Sequence, residues 1–302
     1  MRNILIISFL FVLFQACGQK NEKVTTEKIN FSLSEKFGDY WYQGKAELSS
    51  YDLEQVRYGQ KRDGEAVLIF VTEDFSKSKQ VKLDNPSANP EDAEKVLKLN
   101  FTKKFNTGIY PYSMMTSVFA PVYPKTDLHA RKITTSVQEW CGHVFMQLNN
   151  EEDKYNLFSR SYFESEGDID MSLDKIWLED ELWTLLRLDP SLIPTGEVQL
   201  LPSTQYLRLK HKESKPYTSQ ITIIEKDTVN ELKIEIPELK RKVSIIYQNQ
   251  HPYQIESWKE SYPEGGEIMT TSAKLKKRIM LDYWNRNGMK DSVYREELQL
   301  GF

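Results

Sequence analysis

Cysteine and histidine are scarce in this chain, at two and four residues among 302. A disulfide-stapled scaffold needs more thiols, so stability has to come from a buried core, which a chain of this length can build. Cys141 and His143 lie two apart, on one face of a strand, but two ligands are too few for a metal. His129, His211 and His251 are scattered without ligand spacing, so no metal site is expected and Cys141 reads as a buried thiol beside a hydrogen-bonded histidine. The sequence has no Gly-x-Ser-x-Gly elbow, no His-Glu-x-x-His pair, no phosphate-cradling glycine loop and no dinucleotide fingerprint. No catalytic residue and no cofactor is therefore assigned from motifs. Paired carboxylates stay open, because they come from distant strands and leave no local trace. Basic residues are not in excess: 40 Lys and Arg stand against 44 Asp and Glu, for a net charge of -4, which gives no field for nucleic acid. Beyond the first residues no apolar run approaches the ~20 that a spanning helix needs.

What is present begins with the leader. Arg2 is followed by an apolar run from Ile4 to Phe14, interrupted only by Ser8, and then by Gln15-Ala16-Cys17-Gly18. A run of about eleven residues matches the core of a signal peptide and is too short to cross a ~30 Å bilayer core. Phe14-Gln15-Ala16-Cys17 resembles a bacterial lipobox, with Phe14 and Gln15 standing where Leu and a small residue are usual. The resemblance implies that residues 1–17 form a lipoprotein signal peptide and that Cys17 is the lipidation site and mature N-terminus. Cys141 then has no intrachain partner. Residues 18–36 are polar, with few large apolar side chains, and read as a flexible tether. The membrane is thus an expected partner, through acyl chains on Cys17, and the expected location is the bacterial cell envelope, at the periplasmic face of the outer membrane.

Residues 37–302 read as a β-rich globular region. Aromatics reach 12%, and Tyr and Trp suit a pleated, half-buried surface. Ala66 to Val71 is an unbroken apolar run rich in β-branching, as in a strand buried on both faces. Asn106-Thr107-Gly108 and Glu264-Gly265-Gly266 are hairpin signals. Ile133, Thr135 and Val137, then Trp140, Val144, Met146 and Leu148, then Tyr155 to Phe163, pattern as a meander. Ser172 to Leu188 reads as an amphipathic helix, with Ser172 as N-cap, Asp174 in the first turn and Leu173, Ile176, Trp177, Trp183 and Leu186 on one stripe packed against the sheet. A second β-rich run follows, in which Leu207 and Leu209 alternate with charge and strands recur through Leu281. Asp291 to Leu298 is a last short element, and Phe302 pins the end.

Two polar clusters have a plain reading. Glu164, Glu166, Asp168 and Asp170 form a solvated acidic turn leading into the helix, since the calcium-loop pattern is not met. Lys274 to Arg278 reads as a charged edge guarding against sheet-to-sheet association. The fold expected is mainly β: an antiparallel, strongly curved sheet or sheets, or half-barrel, with one packed amphipathic helix. The region is either one unit or two halves, 37–171 and 196–302, joined by helix 172–188. Such a sheet is similar to the half-barrels of periplasmic lipoprotein carriers, a likeness of fold that fixes no function.

The stretches YWYQGKAELSSYDLEQVRYG, AVLIFVTEDFSKSKQVKLDNPSA and LKLNFTKKFNTGIYPYSMMTSVF, with LDYWNRNG near the end, resemble an uncharacterised family of Bacteroidetes lipoproteins. Some of its members carry the label "septum formation inhibitor Maf", which implies a nucleotide pyrophosphatase. The Ser-x-Ser-Pro-Arg-Arg motif of that activity is absent here, so the label is read as a mis-transfer and only an envelope location is implied. The expectation is a non-catalytic binding module that takes an apolar ligand or envelope component on the concave side of its sheet. The alternative is an exported hydrolase with strand-borne carboxylates. One acyl chain holds a protein weakly and two hold it stably. Cys17→Ser is therefore expected to move the protein to the soluble fraction or leave it as precursor on fractionation. Membrane retention with a normally cleaved leader would contradict the anchor.

Overall fold

The computed structural model describes residues 33–301. The leader, Cys17, most of the tether and Phe302 lie outside the described residues. Period-two alternation sets most of the rest. In chain order the elements are α1 (Phe37–Trp41), β1 (Ala46–Arg57), β2 (Gln60–Ser76), β3 (Val81–Lys82), β4 (Ala93–Thr107), β5 (Tyr110–Pro121), β6 (Lys132–Glu139), β7 (Gly142–Asn150), β8 (Lys154–Ser161), β9 (Ile169–Asp174), β10 (Trp177–Leu178) and α2 (Glu179–Leu188). There follow β11 (Gly196–Leu201), α3 (Thr204–Lys210), β12 (Tyr217–Glu225), β13 (Val229–Ile236), β14 (Arg241–Gln248), β15 (Ile255–Glu264), β16 (Glu267–Leu281) and α4 (Val293–Glu297). The protein is mainly β, and its strands form one large curved sheet. Hydrogen bonding runs from β10 through β11 to β16, on to β1 and β2, and then from β4 to β9, with β3 attached to β2. All pairs are antiparallel except the short β10–β11 pair. The sheet does not close. Its end strands, β9 and β10, are separated by two residues of chain, Lys175 and Ile176, which leaves a seam.

Helix α2 fills the hollow of this half-barrel. Trp183 seats in an aromatic box on the concave face, with ring centroids 5.1 Å from Phe101 and 5.4 Å from Trp258, while Tyr51 lies 4.7 Å from Trp258. Leu182, Leu185, Leu186 and Leu188 join the same core. Every residue of α2 is buried, including its charged ones, and each of these is tied to a different part of the fold. Glu179 takes a bidentate pair from Arg241 on β14, at 2.5 and 2.7 Å. Asp180 accepts from the backbone and hydroxyl of Thr204 on α3, at 2.9 and 2.6 Å. Glu181 accepts from the backbone N–H of Leu178 and Ala130, and meets the His129 ring at 2.8 Å. At the other end Arg187 grips Glu47 of β1 with two bonds of 2.6 and 2.7 Å, and its guanidinium lies against the rings of Trp41 and Phe70.

Several expectations are corrected. The predicted helix over Ser172–Leu188 is confined to its second half. Ser172 lies on β9, exposed, and the N-cap position belongs to Leu178. Ile169, Met171 and Leu173 alternate, and pairing with β8 claims them for the sheet before a helix can form. Trp177 is on β10 and packs on the His129 ring. Leu207 and Leu209 sit on α3, not on a strand. The short element expected over Asp291–Leu298 is present and helical: a 3-10 turn at Met289–Ser292 runs directly into α4. Ala66 to Val71 is covered on both sides: Ala66, Leu68 and Phe70 face the main core, while Ile69 and Val71 face a second cluster with Leu48, Leu281 and Leu298 on the outer side. The chain after β16 supplies that cover, held by Ser50 Oγ donating to the Leu298 carbonyl at 2.6 Å.

The Glu47–Arg187 pair makes a stability prediction. Burial alone would push the Glu47 carboxyl up, but Arg187, Arg278 and the Tyr40 hydroxyl pull it down to about 2 from an ordinary 4.5. A depressed carboxyl stabilises the fold fully above its ordinary value and loses that contribution as pH falls from 4.5 toward 2. The stability difference between wild type and Glu47→Gln, measured by denaturant titration, is expected to shrink across that window. Arg187→Met is expected to cost about 3–5 kcal/mol by stranding a buried carboxylate, with part of the loss recovered in Arg187→Met/Glu47→Leu. A loss below about 1 kcal/mol in the single variant would contradict this docking.

Candidate binding site at the seam

With α2 and α3 inside it, the concave centre of the sheet is packed. A cavity of about 350 Å³ remains at the seam, between the inner faces of β7, β8 and β9 and the C-terminal end of α3 with the loop after it. Its apolar side is Val144, Met146, Ile169, Met171 and Leu207. Met is flexible and polarisable, so such a wall adapts to apolar shapes. The polar side carries Glu166, Arg208 and His211, with Ser159 and Ser165. Alternation explains the β7 residues: Val144 and Met146 point inward while His143 and Phe145 point out.

Side chains at the strand ends hold α3 over this cavity. Arg57 donates to the Leu209 carbonyl, and Lys210 pairs with Glu264. Gln205 donates to the Phe101 carbonyl at 3.2 Å and to Thr116 Oγ1 at 3.1 Å. The helix stops at His211, which takes the left-handed region with φ +49°, a conformation His tolerates better than branched residues. That turn carries the His211 ring to Glu166, with Nδ1 donating to Oε1 at 2.5 Å. Arg208 Nη1 lies 3.4 Å from the same oxygen, and Ser161 Oγ donates to Oε2 at 2.5 Å. Phe163 roofs the group, with the Arg208 guanidinium 4.3 Å from its ring centre.

Ser165 and Glu166 place the cavity beside the end of the sheet where the β1–β2, β4–β5, β6–β7, β8–β9 and β15–β16 connections gather. This rim is aromatic and exposed: Tyr58 is 51%, Ile109 81%, Trp140 68% and Tyr162 71% accessible. Tyr58, Tyr110 and Tyr112 share hydroxyl contacts, and the Tyr110 ring lies 6.4 Å from Trp140. Gly142 is required where it stands, because a Cβ there would come within 2.6 Å of the Tyr162 ring. The chain enters the fold at the opposite end, through α1 and the start of β1.

Other sequence candidates fall elsewhere. Cys141 is exposed in the β6–β7 turn, not buried, and its N–H donates to Glu139 at 2.6 Å. His143 is exposed beside it. Among the described residues no group of three His, Cys, Asp or Glu side chains could hold a metal ion. The acidic turn leads into β9 rather than a helix. Asp170 pairs with Arg160 and only Glu166 turns into the cavity. Lys274–Arg278 is not at an edge: β16 lies between β15 and β1, and Arg278 turns inward to Ser49 Oγ and the Ile255 carbonyl. Asp52, Glu54 and Asp63 meet Lys259 and Lys274 in a shallow outer groove of about 960 Å³, where Glu54 is held by Lys61 at 2.6 Å. Among the described residues no helix is long and apolar enough to cross a membrane. Sequence reasoning missed Arg208, Met146 and Met171 as site residues. The only local signal was Glu166, whose acidic neighbours masked it.

Comparison with known proteins is sparse. No family model matches the chain, and no curated protein does. Among solved structures the chain is similar to a β-barrel-like protein of a domain of unknown function, DUF1849, from Brucella abortus. The two are 8% identical with a TM-score of 0.47, over 78% of this chain and 97% of that one.

Proposed function

We propose that this is a lipid-anchored protein of the bacterial cell envelope that binds an apolar ligand without altering it, and that the seam cavity is where the ligand sits. The cavity carries the proposal. Its 350 Å³ lies within the ~300–1,000 Å³ range of small-molecule sites, and it combines an apolar wall with a few convergent polar groups. The larger grooves on the outer face are shallow and lined by charge, which suits them to water. The leader and its lipobox-like cysteine support the anchor.

The test uses a neutral fluorescent apolar probe, N-phenyl-1-naphthylamine. Saturable binding with a blue-shifted emission is expected for the wild type. Met171→Trp, which fills the cavity, is expected to weaken it at least tenfold. Ser257→Trp, in the outer groove, is expected to leave it unchanged. Binding that ignores Met171→Trp would remove the seam as the ligand site.

A further inference from the structure

We infer that the aromatic rim docks on a zwitterionic lipid bilayer, with its turn residues seated at headgroup depth. Five neighbouring turns form the rim. Each presents, at or next to its tip, one large apolar side chain that is more than half exposed: Ile268, Tyr58, Ile109, Trp140 and Tyr162, in their order across the sheet. The turns touch along the row. A Cβ on Gly59 would lie 3.6 Å from Gly265 Cα, and the Tyr110 hydroxyl donates to that of Tyr58 at 3.4 Å. The Tyr110 ring lies 6.4 Å from Trp140, and the Tyr162 ring covers Gly142. A single exposed apolar residue needs no partner, but a contiguous row marks a contact surface. This contact is separate from the acyl anchor and from the seam cavity, and it needs neither.

Charge and residue type identify the occupant. Residues 58–60, 106–110 and 140–142, the three central turns, contain no charged side chain. The other end of the same sheet is charged: β7 and β8 are joined through Glu151-Glu152-Asp153, and the chain leaving β2 carries Lys77 and Lys79. Charge is costly to carry into a bilayer, whereas Tyr and Trp combine an apolar ring with a polar tip and concentrate at its interface. The central turns hold no basic group to attract anionic lipid. The outer turns carry exposed acids, Glu267 on one side and Glu164 and Asp168 on the other, which repel it. The attraction is therefore apolar. A second copy fits less well. At ~150–250 Å² for a whole aromatic side chain, the five expose on the order of 600 Å², against ~800 Å² per partner in a stable complex. A bilayer needs no matching contour, and binding to it scales with the apolar area inserted.

Cys141 is exposed in the β6–β7 turn beside Trp140. A solvatochromic dye on it, in the full chain carrying Cys17→Ser, reads the surroundings of the rim whatever else holds the protein to lipid. With phosphatidylcholine vesicles its emission is expected to shift to the blue and to be quenched by brominated acyl chains, at low and high salt alike. A dye on Glu152→Cys at the other end of the sheet, with both native cysteines changed to Ser, is expected to stay in water. Ile109→Ser/Trp140→Ser is expected to raise the lipid concentration for half the shift at least tenfold. If that variant does not fold, the two dye positions decide alone. No shift at Cys141, an equal shift at both positions, or a shift that needs phosphatidylglycerol and vanishes in high salt would overturn the proposal. A shift that grows with protein concentration in the absence of vesicles would overturn it too, by giving the rim to a second copy.

Discussion

The structure depends on how one buried helix is tied down at both ends. A helix that is buried all round is ordinarily apolar all round, yet α2 carries Glu179, Asp180 and Glu181 in its first turn and Arg187 in its last. The signs suit the helix dipole, with acids at the start and a base near the end. Their partners come from β14, α3, the segment before β6 and β1. Buried ion pairs add little net stability against a well-packed apolar alternative, but breaking one strands a charge in the core. We read these contacts as fixing position: a helix slid by one turn, or reversed, would leave several charges buried and unpaired.

The same contacts decide where binding can occur. An open half-barrel would offer its concave face as one large chamber. Here α2 occupies that chamber, and Trp183 completes an aromatic box with Phe101 and Trp258. Asp180 extends the arrangement to Thr204 and so sets α3 beside α2, with Thr135 and Thr116 continuing the chain of hydroxyls. Burial raises the Asp180 carboxyl against the hydrogen bonds from Thr204, as expected of an acid that meets hydroxyl and amide donors rather than a cation. What remains unfilled is the seam, where β9 has no strand partner on its far side and α3 stops at His211.

Much of the fold was legible in the sequence. Alternation gave the β class, the six-residue apolar run gave a strand covered on both faces, and the Gly-containing turns gave hairpins at Gly108 and Gly265. Two errors share one cause. Leu173 fits a strand as well as the first turn of a helix, and Leu207 with Leu209 fit a strand as well as a seven-residue helix. Short apolar patterns do not separate the two periods; pairing with the neighbouring β8 decided the first, and the ties of α3 to Asp180, Phe101 and Thr116 accompany the second. The site was not legible. Met146, Glu166, Met171 and Arg208 sit on two strands, the β8–β9 connection and one helix, and only the topology brings them together. The buried charges of α2 were equally hidden, because in sequence they look like the solvated face of an amphipathic helix.

Amide hydrogen exchange over residues 179–188, followed by mass spectrometry, tests most directly whether α2 is a fixed plug. Core elements exchange through global unfolding and lids through local opening. Protection in α2 equal to that of β4 and β5 is the outcome this account requires. Exchange in α2 markedly faster than in those strands would contradict it, and would make the concave chamber under a detachable helix the place to look for a ligand.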